Sequence, residues 1–210
     1  MTNKLQPRLR FKGFTELWTQ RQLGDIADFF DEQRIPVDIG LRKSGPYPYY
    51  GATGIIDYVD DYIFDGEYVL LAEDGANIID RNSPVSYLTT GKFWLNNHAH
   101  IMKSKSGNNR FLLQVLERQD YLALNTGTAQ PKLNSKSVKS MEIGSTGLSE
   151  QSSIGEFFRL LDDLITPTSE RLSIFYVSRV PTFNNSSQRQ AKSYPTYVSL
   201  ASERIGKRDH

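Results

Sequence analysis

The sequence predicts an α+β fold in which many short strands are followed by one long helix. Short apolar and β-branched runs, separated by Gly, Pro, Asn and Asp, extend through residues 1–147, a pattern typical of strands joined by turns. One apolar stripe of helical periodicity follows at residues 150–165. With 210 residues, of which 38% are hydrophobic and 11% aromatic, the chain has the length and apolar content for one domain with an appendage.

The strand-rich part begins at Gln22–Phe30, which we interpret as a short helix or turn leading into a strand. Tyr47–Gly54 contains Pro and Gly at a density that favours a loop. The predicted strands are Gly54–Val59, Tyr68–Ala72, Val85–Thr89, Phe93–Leu95, His98–Lys103 and Val138–Ile143. Between the last two, Phe111–Arg118 is predicted as a helix and Asn125–Leu133 as a loop.

The helix at residues 150–165 has the clearest periodicity. Ser153 and Glu156 fit a capping box near its start, and Pro167 is predicted to end it. Its apolar stripe consists of Ile154, Phe157, Phe158, Leu161, Leu164 and Ile165. Residues 166–210 contain 12 Ser or Thr and three prolines without a sustained period, so we expect a poorly ordered tail.

The net charge of +1 hides a segregation of charge along the chain. Residues 57–80 contain eight acidic residues and no Lys or Arg, whereas residues 81–139 contain nine Lys or Arg and two acidic residues. Such a basic stretch can present a basic face to a polyanion. The alternative is that the two stretches form neighbouring strands whose charges offset each other.

The residue types and motifs that are missing exclude several classes of function. There is no cysteine, which excludes disulfides, thiolate metal sites and cysteine nucleophiles. No phosphate-binding loop, dinucleotide-binding glycine pattern or serine-nucleophile elbow occurs. No apolar run reaches the roughly 18–20 residues that span a bilayer, and the start lacks an apolar signal core. We therefore expect a cytoplasmic protein without membrane contact.

A metal-dependent nuclease is an alternative suggested by two features. His98 and His100 would share one face of a strand, and the acidic residues of 57–80 would supply carboxylates for Mg²⁺. The acidic run contains no lysine, however, and a solvated or partner-facing acidic edge is its simpler interpretation. For the two histidines, a core or DNA-facing position is the simpler interpretation. We predict no catalytic residue and no metal ligand.

Two polar clusters favour nucleic-acid binding instead, because amide side chains can pair with base edges while lysines hold phosphates. The clusters are Lys92, Asn96, Asn97, His98, Lys103 and Lys105, and Asn125, Thr126, Thr128, Gln130, Lys132, Asn134 and Lys136. Gly127 and Ala129 would let the backbone approach a phosphate, and Gln130 would read an adenine edge. Nearby hydroxyls and ring faces belong to Tyr47, Tyr49 and Tyr50, with core packing as the alternative role.

Several segments, in a fixed order over residues 1–165, resemble those of a known family. They are Pro7–Phe11 with Gly13, Phe14, Trp18 and Leu23–Ile26; Tyr49–Ile55; Tyr68–Ala72 with Gly75–Asn77; Gly91–Trp94 with Asn97–Ala99; Gly127–Leu133; and Glu150, Gln151, Ile154, Gly155, Phe157, Phe158, Leu161 and Asp162. The chain is similar to the specificity subunit of type I restriction–modification systems, in particular to one target-recognition domain with the start of its spacer helix.

The resemblance implies a non-catalytic reader of double-stranded DNA. It implies a mixed target-recognition domain at 1–147, the start of a coiled-coil-type spacer helix at 148–165, and a divergent tail at 166–210. The implied partners are a modification subunit, which methylates adenine with S-adenosylmethionine, and, through the complex, a restriction subunit that uses ATP. The chain itself would hold no cofactor, because S-adenosylmethionine, ATP and Mg²⁺ would be used by the partners.

The resemblance also implies roles for individual residues. The expected DNA-binding residues are Tyr47, Tyr49, Tyr50, Thr53, Lys92, Asn97, His98, Lys103, Thr126, Thr128, Gln130 and Lys132. The expected partner or dimer interface is the stripe Ile154, Phe157, Phe158, Leu161, Leu164 and Ile165, which would pack on an antiparallel helix.

The chain departs from the family in two respects. A complete specificity subunit has a second recognition domain, and its spacer helix continues where Thr166–Ser169 stands here. These departures predict a half-subunit whose tail comes from a shifted reading frame or a recombination junction. Such a half-subunit would restore two-fold recognition as a homodimer. The alternative is an inactive remnant or assembly decoy.

Overall fold

The computed structural model describes residues 6–177. The strands in this range are β1 (Thr19–Gln22), β2 (Ala27–Phe29), β3 (Ser44–Gly51), β4 (Gly54–Val59), β5 (Phe64–Asp65), β6 (Tyr68–Ala72), β7 (Ser86–Thr89), β8 (Lys92–Leu95), β9 (Ala99–Ser104) and β10 (Glu142–Ser145). The helices are α1 (Leu23–Ile26), α2 (Asn77–Asp80), α3 (Asn109–Glu117), α4 (Ser135–Ser140) and α5 (Leu148–Val177), with short 3-10 helices at Asp31–Gln33, Ile39–Leu41 and Leu122–Leu124. The predicted α+β fold is confirmed.

The strands form two four-stranded sheets and one two-stranded ribbon. The first sheet has the order β2-β9-β6-β7 and is antiparallel throughout. The second has the order β4-β3-β8-β5 and contains one parallel pair, β3 with β8. In the ribbon, β1 pairs with β10 and thereby joins the N-terminal segment to the segment that precedes α5.

The central strand of the first sheet, β6, carries the core. All five of its residues are buried, which explains why its sequence is apolar without alternation. Because successive side chains point to opposite faces, Val69 and Leu71 join a buried cluster with α3, and Leu70 joins a second cluster with β8. The sheet is therefore covered on both of its faces.

The predicted loop at Tyr47–Gly54 is wrong, because β3 continues through Gly51. Its prolines, Pro46 and Pro48, precede Tyr49 and Tyr50, the residues of β3 that pair with β8. The prolines therefore lie where β3 has a partner strand on one edge only, a position that tolerates a missing amide donor.

The predicted strand at Val138–Ile143 is wrong in its first half. The Asn134 side chain accepts a hydrogen bond from the amide of Ser137 at 2.8 Å and caps α4, which places Val138 in a helix. The strand β10 begins only at Glu142.

Helix α5 is longer than the predicted 150–165 and does not end at Pro167. Proline removes one backbone hydrogen bond, but its fixed φ is close to the helical value, and helix-forming residues such as Glu170 and Leu172 follow it. The helix begins at Leu148, before the predicted capping box of Ser153 and Glu156. The Ser153 hydroxyl therefore lies inside the helix, where it donates to the carbonyl of Ser149. The expected disorder of 166–210 is thus wrong for 166–177, and its remainder lies outside the described residues.

The chain divides into two units, residues 1–167 and residues 168–210. In the second unit the structure describes residues 168–177, which are helical. Across residues 6–177, no helix has both the length and the apolar composition needed to cross a membrane.

Candidate nucleic-acid interface

Four connecting segments are tied together by backbone hydrogen bonds, and we call them the loop end. They are the β3–β4 turn Gly51–Gly54, the β8–β9 connection Asn96–His98, the β6–α2 connection Glu73–Ala76 and the loop Asn125–Leu133. The amide of Asn96 donates to the carbonyl of Tyr50 at 3.1 Å, that of Glu73 to His98 at 2.9 Å and that of Leu133 to Glu73 at 2.7 Å.

The loop end presents polar side chains to solvent. The exposed members are Thr53, Asn97, His98, Thr126, Thr128, Gln130 and Lys132. They combine amides, hydroxyls, an imidazole and an ammonium group, which are the groups that contact base edges and phosphates. The structure thus brings together seven of the twelve residues predicted to bind DNA.

The β8–β9 connection is shaped by the buried side chain of Asn96. Its Oδ1 accepts a hydrogen bond from the amide of His98 at 2.8 Å, so the polypeptide turns and leaves Asn97 and His98 exposed. The His98 ring then lies 2.8 Å, through Nδ1, from Oδ2 of Asp74 in the β6–α2 connection.

The loop Asn125–Leu133 closes on itself. Oδ1 of Asn125 accepts hydrogen bonds from the amides of Gly127 and Lys132, both at 2.9 Å, and the amide of Thr126 donates to the carbonyl of Lys132 at 2.8 Å. A Cβ on Gly127 would lie 1.7 Å from the carbonyl oxygen of Gln130. Gly127 is therefore required by the closure of the loop itself, whereas the sequence suggested a gap for an approaching phosphate.

A buried polar network lies beneath this loop. His100 is fully buried, with Nδ1 2.8 Å from Oδ2 of Asp31 and Nε2 2.9 Å from the carbonyl of Leu133. Arg34 donates through Nη1 to Oε2 of Glu73 and to the carbonyl of Ala99, both at 2.7 Å. Burial raises the pKa of Asp31, but the hydrogen bond and charge of His100 outweigh burial, so its pKa is lowered.

Sequence reasoning missed Asp31, Arg34 and Glu73. Asp31 and Arg34 share one turn, but they are far in sequence from Glu73 and His100, and none of these residues belongs to a motif. For His100, sequence reasoning weighed a metal ligand against a core or DNA-facing histidine, and the structure places His100 in the core. Within residues 6–177 no group of three or more His, Cys, Asp or Glu side chains is arranged to hold a metal ion. His98 and His100 instead face different carboxylates, Asp74 and Asp31.

The other five predicted DNA-binding residues lie outside the loop end. Tyr47 is 5.0 Å from Tyr62 between ring centroids, and Lys92 lies 4.5 Å above the same ring. Lys103 lies 3.9 Å above the ring of Tyr68.

The two remaining tyrosines pack within the protein. Tyr49 is 1% exposed, and its hydroxyl accepts a hydrogen bond from the amide of Val37 at 3.0 Å. Tyr50 is stacked on Tyr87 and meets Phe93 edge-on, and burial raises the pKa of its hydroxyl. Core packing, the alternative offered by the sequence, describes both residues.

Part of the charge segregation along the sequence is offset in space. Asp65 lies opposite Lys92 in the β5–β8 pair, and Glu73 Oε1 is 3.5 Å from the ammonium group of Lys132. Together with the contact between Asp74 and His98, these pairs bring the acidic and the basic stretch side by side. The alternative of neighbouring strands with offsetting charges therefore describes Asp65 and Lys92, whereas the other two pairs join connecting segments.

The start of α5 is fixed to the N-terminal segment by Glu150. Arg10 donates to both carboxylate oxygens at 2.7 and 2.6 Å, and Trp18 Nε1 donates at 3.1 Å. The hydrogen bond from Arg10, with those from Thr146 and Trp18, lowers the pKa of Glu150 against the effect of burial.

An apolar groove of about 650 Å³ lies beside this contact. The side chains that line it include Leu9, Phe11, Trp18, Phe111, Val115 and Phe158. Of the predicted interface stripe, Ile154, Phe157 and Phe158 also line the groove, Leu161 is partly exposed, and Leu164 and Ile165 are 70% and 64% exposed.

Residues 15–173 match the family described as the type I restriction modification DNA specificity domain. The chain belongs to this family. The resemblance found in the sequence is thereby confirmed, and the matched range includes both the loop end and most of α5.

Two relatives carry the names of type I specificity subunits. A protein from Haemophilus influenzae is 38% identical over 151 residues, which are 71% of this chain and 38% of that protein. A protein from Mycoplasma pneumoniae is 27% identical over 157 residues, which are 68% of this chain and 49% of that protein. This specificity-domain chain therefore spans less than half the length of both relatives.

Solved structures of type I systems share the fold. The specificity subunit from M. genitalium superposes with a TM-score of 0.60 at 16% identity, covering 77% of this chain and 43% of that one. A chain from a structure on complex assembly and conformational transition of the type I system superposes with a TM-score of 0.54 at 12% identity, covering 80% and 45%.

Proposed function

We propose that this chain recognises double-stranded DNA sequence-specifically, as the reading unit of a type I specificity subunit. The observation that carries the proposal is the convergence of four segments into the loop end, where seven predicted DNA-binding side chains are exposed together. Membership of the specificity-domain family supports the same function.

The side chains of the loop end suit a division of tasks. Gln130 and Asn97 carry amides that can form paired hydrogen bonds with an adenine edge. Lys132 carries a point charge suited to a phosphate, and the hydroxyls of Thr126 and Thr128 can accompany it. We therefore assign base reading to the amides and backbone positioning to Lys132.

The proposed partners follow from the family. The chain would bind a modification subunit that uses S-adenosylmethionine and, through the complex, a restriction subunit that uses ATP and Mg²⁺, so that the chain itself catalyses nothing. It would act in the cytoplasm, where these partners and DNA meet. The exposed end of the α5 stripe, with Leu164 and Ile165, would pack on a helix of a second recognition unit, supplied by a second copy of the chain.

Selection from a random-sequence duplex pool with the full 210-residue chain tests DNA reading directly. We expect enrichment of one short sequence and an affinity that falls steeply with salt, because phosphate contacts release counterions. Absence of enrichment would overturn sequence-specific recognition, and salt-independent binding would overturn the proposed phosphate contacts.

Two variants separate the proposed tasks. Lys132→Ala should weaken binding to all duplexes and lower the log–log salt slope by about 1, whereas Gln130→Ala should change the enriched base at one position. Lys12→Ala removes the same charge from an exposed position in the N-terminal segment and should change neither quantity.

The partner assignment has its own test. Adenine methylation is mapped in cells that co-express the chain and its modification subunit. A new palindromic bipartite motif is the expected result for a dimeric reading unit. The absence of any new motif, with the modification subunit active alongside a complete specificity subunit, would favour the alternative of an inactive remnant or assembly decoy.

A further inference from the structure

The buried ring of His100 faces two hydrogen-bond acceptors. Nδ1 lies 2.8 Å from the carboxylate of Asp31, and Nε2 lies 2.9 Å from the backbone carbonyl of Leu133. A carbonyl only accepts hydrogen bonds, so Nε2 carries a proton. Oδ1 of Asp31 accepts a hydrogen bond from the amide of Ile101 at 2.9 Å, and the guanidinium of Arg34 lies 4.0 Å from the same carboxyl group. These neighbours favour the ionised carboxylate, which also only accepts, so Nδ1 carries a proton as well.

His100 is therefore an imidazolium buried among charged groups. Glu73 Oε2 is 3.8 Å from its Nδ1, and Arg34 lies 2.7 Å from Glu73 and 4.0 Å from Asp31. On the outer side, Lys132 is 3.5 Å from Glu73. Two carboxylates are thus matched by three cationic groups, and both carboxylates lie within 4 Å of Nδ1 of the imidazole.

The carbonyl that His100 holds is the base of the loop Asn125–Leu133. Leu133 is fully buried, and its amide donates to the carbonyl of Glu73 at 2.7 Å. Next to it, the amide of Gly75 donates to the carbonyl of Pro131 at 3.1 Å. Of these three hydrogen bonds, the one from His100 has a charged donor, and such hydrogen bonds are stronger than those between neutral groups.

We propose that His100 is a positioning residue for DNA reading. As a buried imidazolium, His100 holds the base of the loop, so that Gln130 and Lys132 are presented in one conformation before DNA binds. The DNA part of this inference rests on the proposed function. Because the loop is already held before DNA binds, less conformational entropy is lost on binding. We therefore expect the affinities for different DNA sequences to differ more.

Two variants of His100 separate its two hydrogen bonds. The amide nitrogen of glutamine can occupy the place of Nε2, and that of asparagine the place of Nδ1. His100→Gln should therefore keep the donor to Leu133, whereas His100→Asn should keep only the donor to Asp31.

Hydrogen exchange of the loop amides provides the measurement on the full chain. Relative to the amides of β6, those of Thr126 and Lys132 should exchange about ten-fold to a hundred-fold faster in His100→Asn, the range expected for losing one hydrogen bond to a charged group. They should change much less in His100→Gln. His98→Gln serves as the control, because His98 is exposed and contacts Asp74 rather than the loop carbonyl. Equal exchange in the two His100 variants would overturn the positioning role.

A measurement on the unmodified chain keeps the inference testable if either variant fails to fold. Long-range ¹H–¹⁵N spectra of the imidazoles report whether each ring nitrogen carries a proton, and we expect both nitrogens of His100 to be protonated at pH 7. One unprotonated nitrogen would overturn the imidazolium assignment.

Selection from the random duplex pool then tests the consequence for reading. His100→Asn should bind DNA but enrich its sequence less sharply than His100→Gln. Equal sharpness would overturn the link between loop position and reading. Failure of the unmodified chain to enrich any sequence would count against the proposed function, while the exchange result would stand by itself.

Discussion

The loop end and the apolar groove are both exposed, but they are built in opposite ways. The loop end presents amides, hydroxyls and a lysine above a buried network of charges around His100. The groove presents Phe11 and Phe157, which meet edge-on at 5.6 Å and are 39% and 43% exposed. Its polar anchor, Glu150, lies at the start of the helix.

The difference shows which ligand each surface suits. A polar surface held in place by buried hydrogen bonds can distinguish donors and acceptors on a partner, because its own groups are already ordered. An apolar surface gains most from being covered, at about 25 cal/mol per Å² of area buried, and distinguishes mainly shape. DNA suits the first surface and a helix the second.

Removing the centre of the buried network should have the largest effect on stability. His100→Leu removes the hydrogen bond and the nearer cation from the buried carboxylate of Asp31 and leaves it the more distant Arg34, so we expect the free energy of unfolding in urea to fall by about 3–5 kcal/mol. His98→Leu breaks a pair whose histidine is 52% exposed, and it should cost less than about 1 kcal/mol. Equal losses in the two variants would mean that the loop end does not depend on the buried network.

In the apolar stripe of α5, we expect a substitution to change the association of the proposed dimer rather than the free energy of unfolding. Ile165→Ser removes an exposed side chain of the stripe, so the free energy of unfolding should stay within about 0.5 kcal/mol. The dissociation constant of the proposed dimer, measured by sedimentation, should rise about ten-fold to a hundred-fold, because burying one such side chain contributes about 1.5–3 kcal/mol. Asp163→Ser lies on the opposite side of the helix and should leave association unchanged. If Ile165→Ser associates as tightly as the unmodified chain, the stripe is not the dimer contact.

Comparing two lysines defines the boundary of the loop end. Lys92 begins β8, whereas Asn97 follows that strand, and five steps of about 3.3 Å place roughly 16 Å between them. Lys132→Ala should therefore weaken DNA binding about ten-fold at low salt, and Lys92→Ala only a few-fold through long-range attraction. Equal losses, measured by fluorescence anisotropy with the same duplex, would extend the interface along β8 to the ring of Tyr62.

The fold was largely predictable because its strands obey local rules. β6 and β4 have the predicted bounds, β7 and β8 differ from the prediction by one residue at one end, and β9 is shifted by one residue at both ends. The errors arise where a non-local or capping interaction outweighs composition. β3 contains two prolines but is held by two neighbouring strands, α4 depends on the cap at Asn134, and α5 continues through Pro167.

The candidate site was predictable only in part. Exposed residues that are close in sequence, such as Asn97 with His98 and Gln130 with Lys132, were identified from residue type alone. Tyr49 was misplaced because a tyrosine that is buried and one that is exposed look alike in a sequence. The network around His100 joins residues up to 69 positions apart, and no local pattern records that proximity.

Lowering the pH should destabilise both the loop end and the groove, in each case through one carboxylate. This loss of stability is the smallest effect we predict. The pKa of Asp31 is lowered from 3.8 by His100, against the effect of its burial, and that of Glu150 is lowered from 4.5 by Arg10. A carboxyl whose folded pKa is lowered contributes stability that is present above its unfolded pKa and is lost as the pH falls through the folded one. Urea unfolding should therefore show stability declining below about pH 4, and Asp31→Asn and Glu150→Gln should each make that decline shallower. If only Glu150→Gln does so, the acid sensitivity belongs to the anchor of α5, and Asp31 is not the ionised partner of His100.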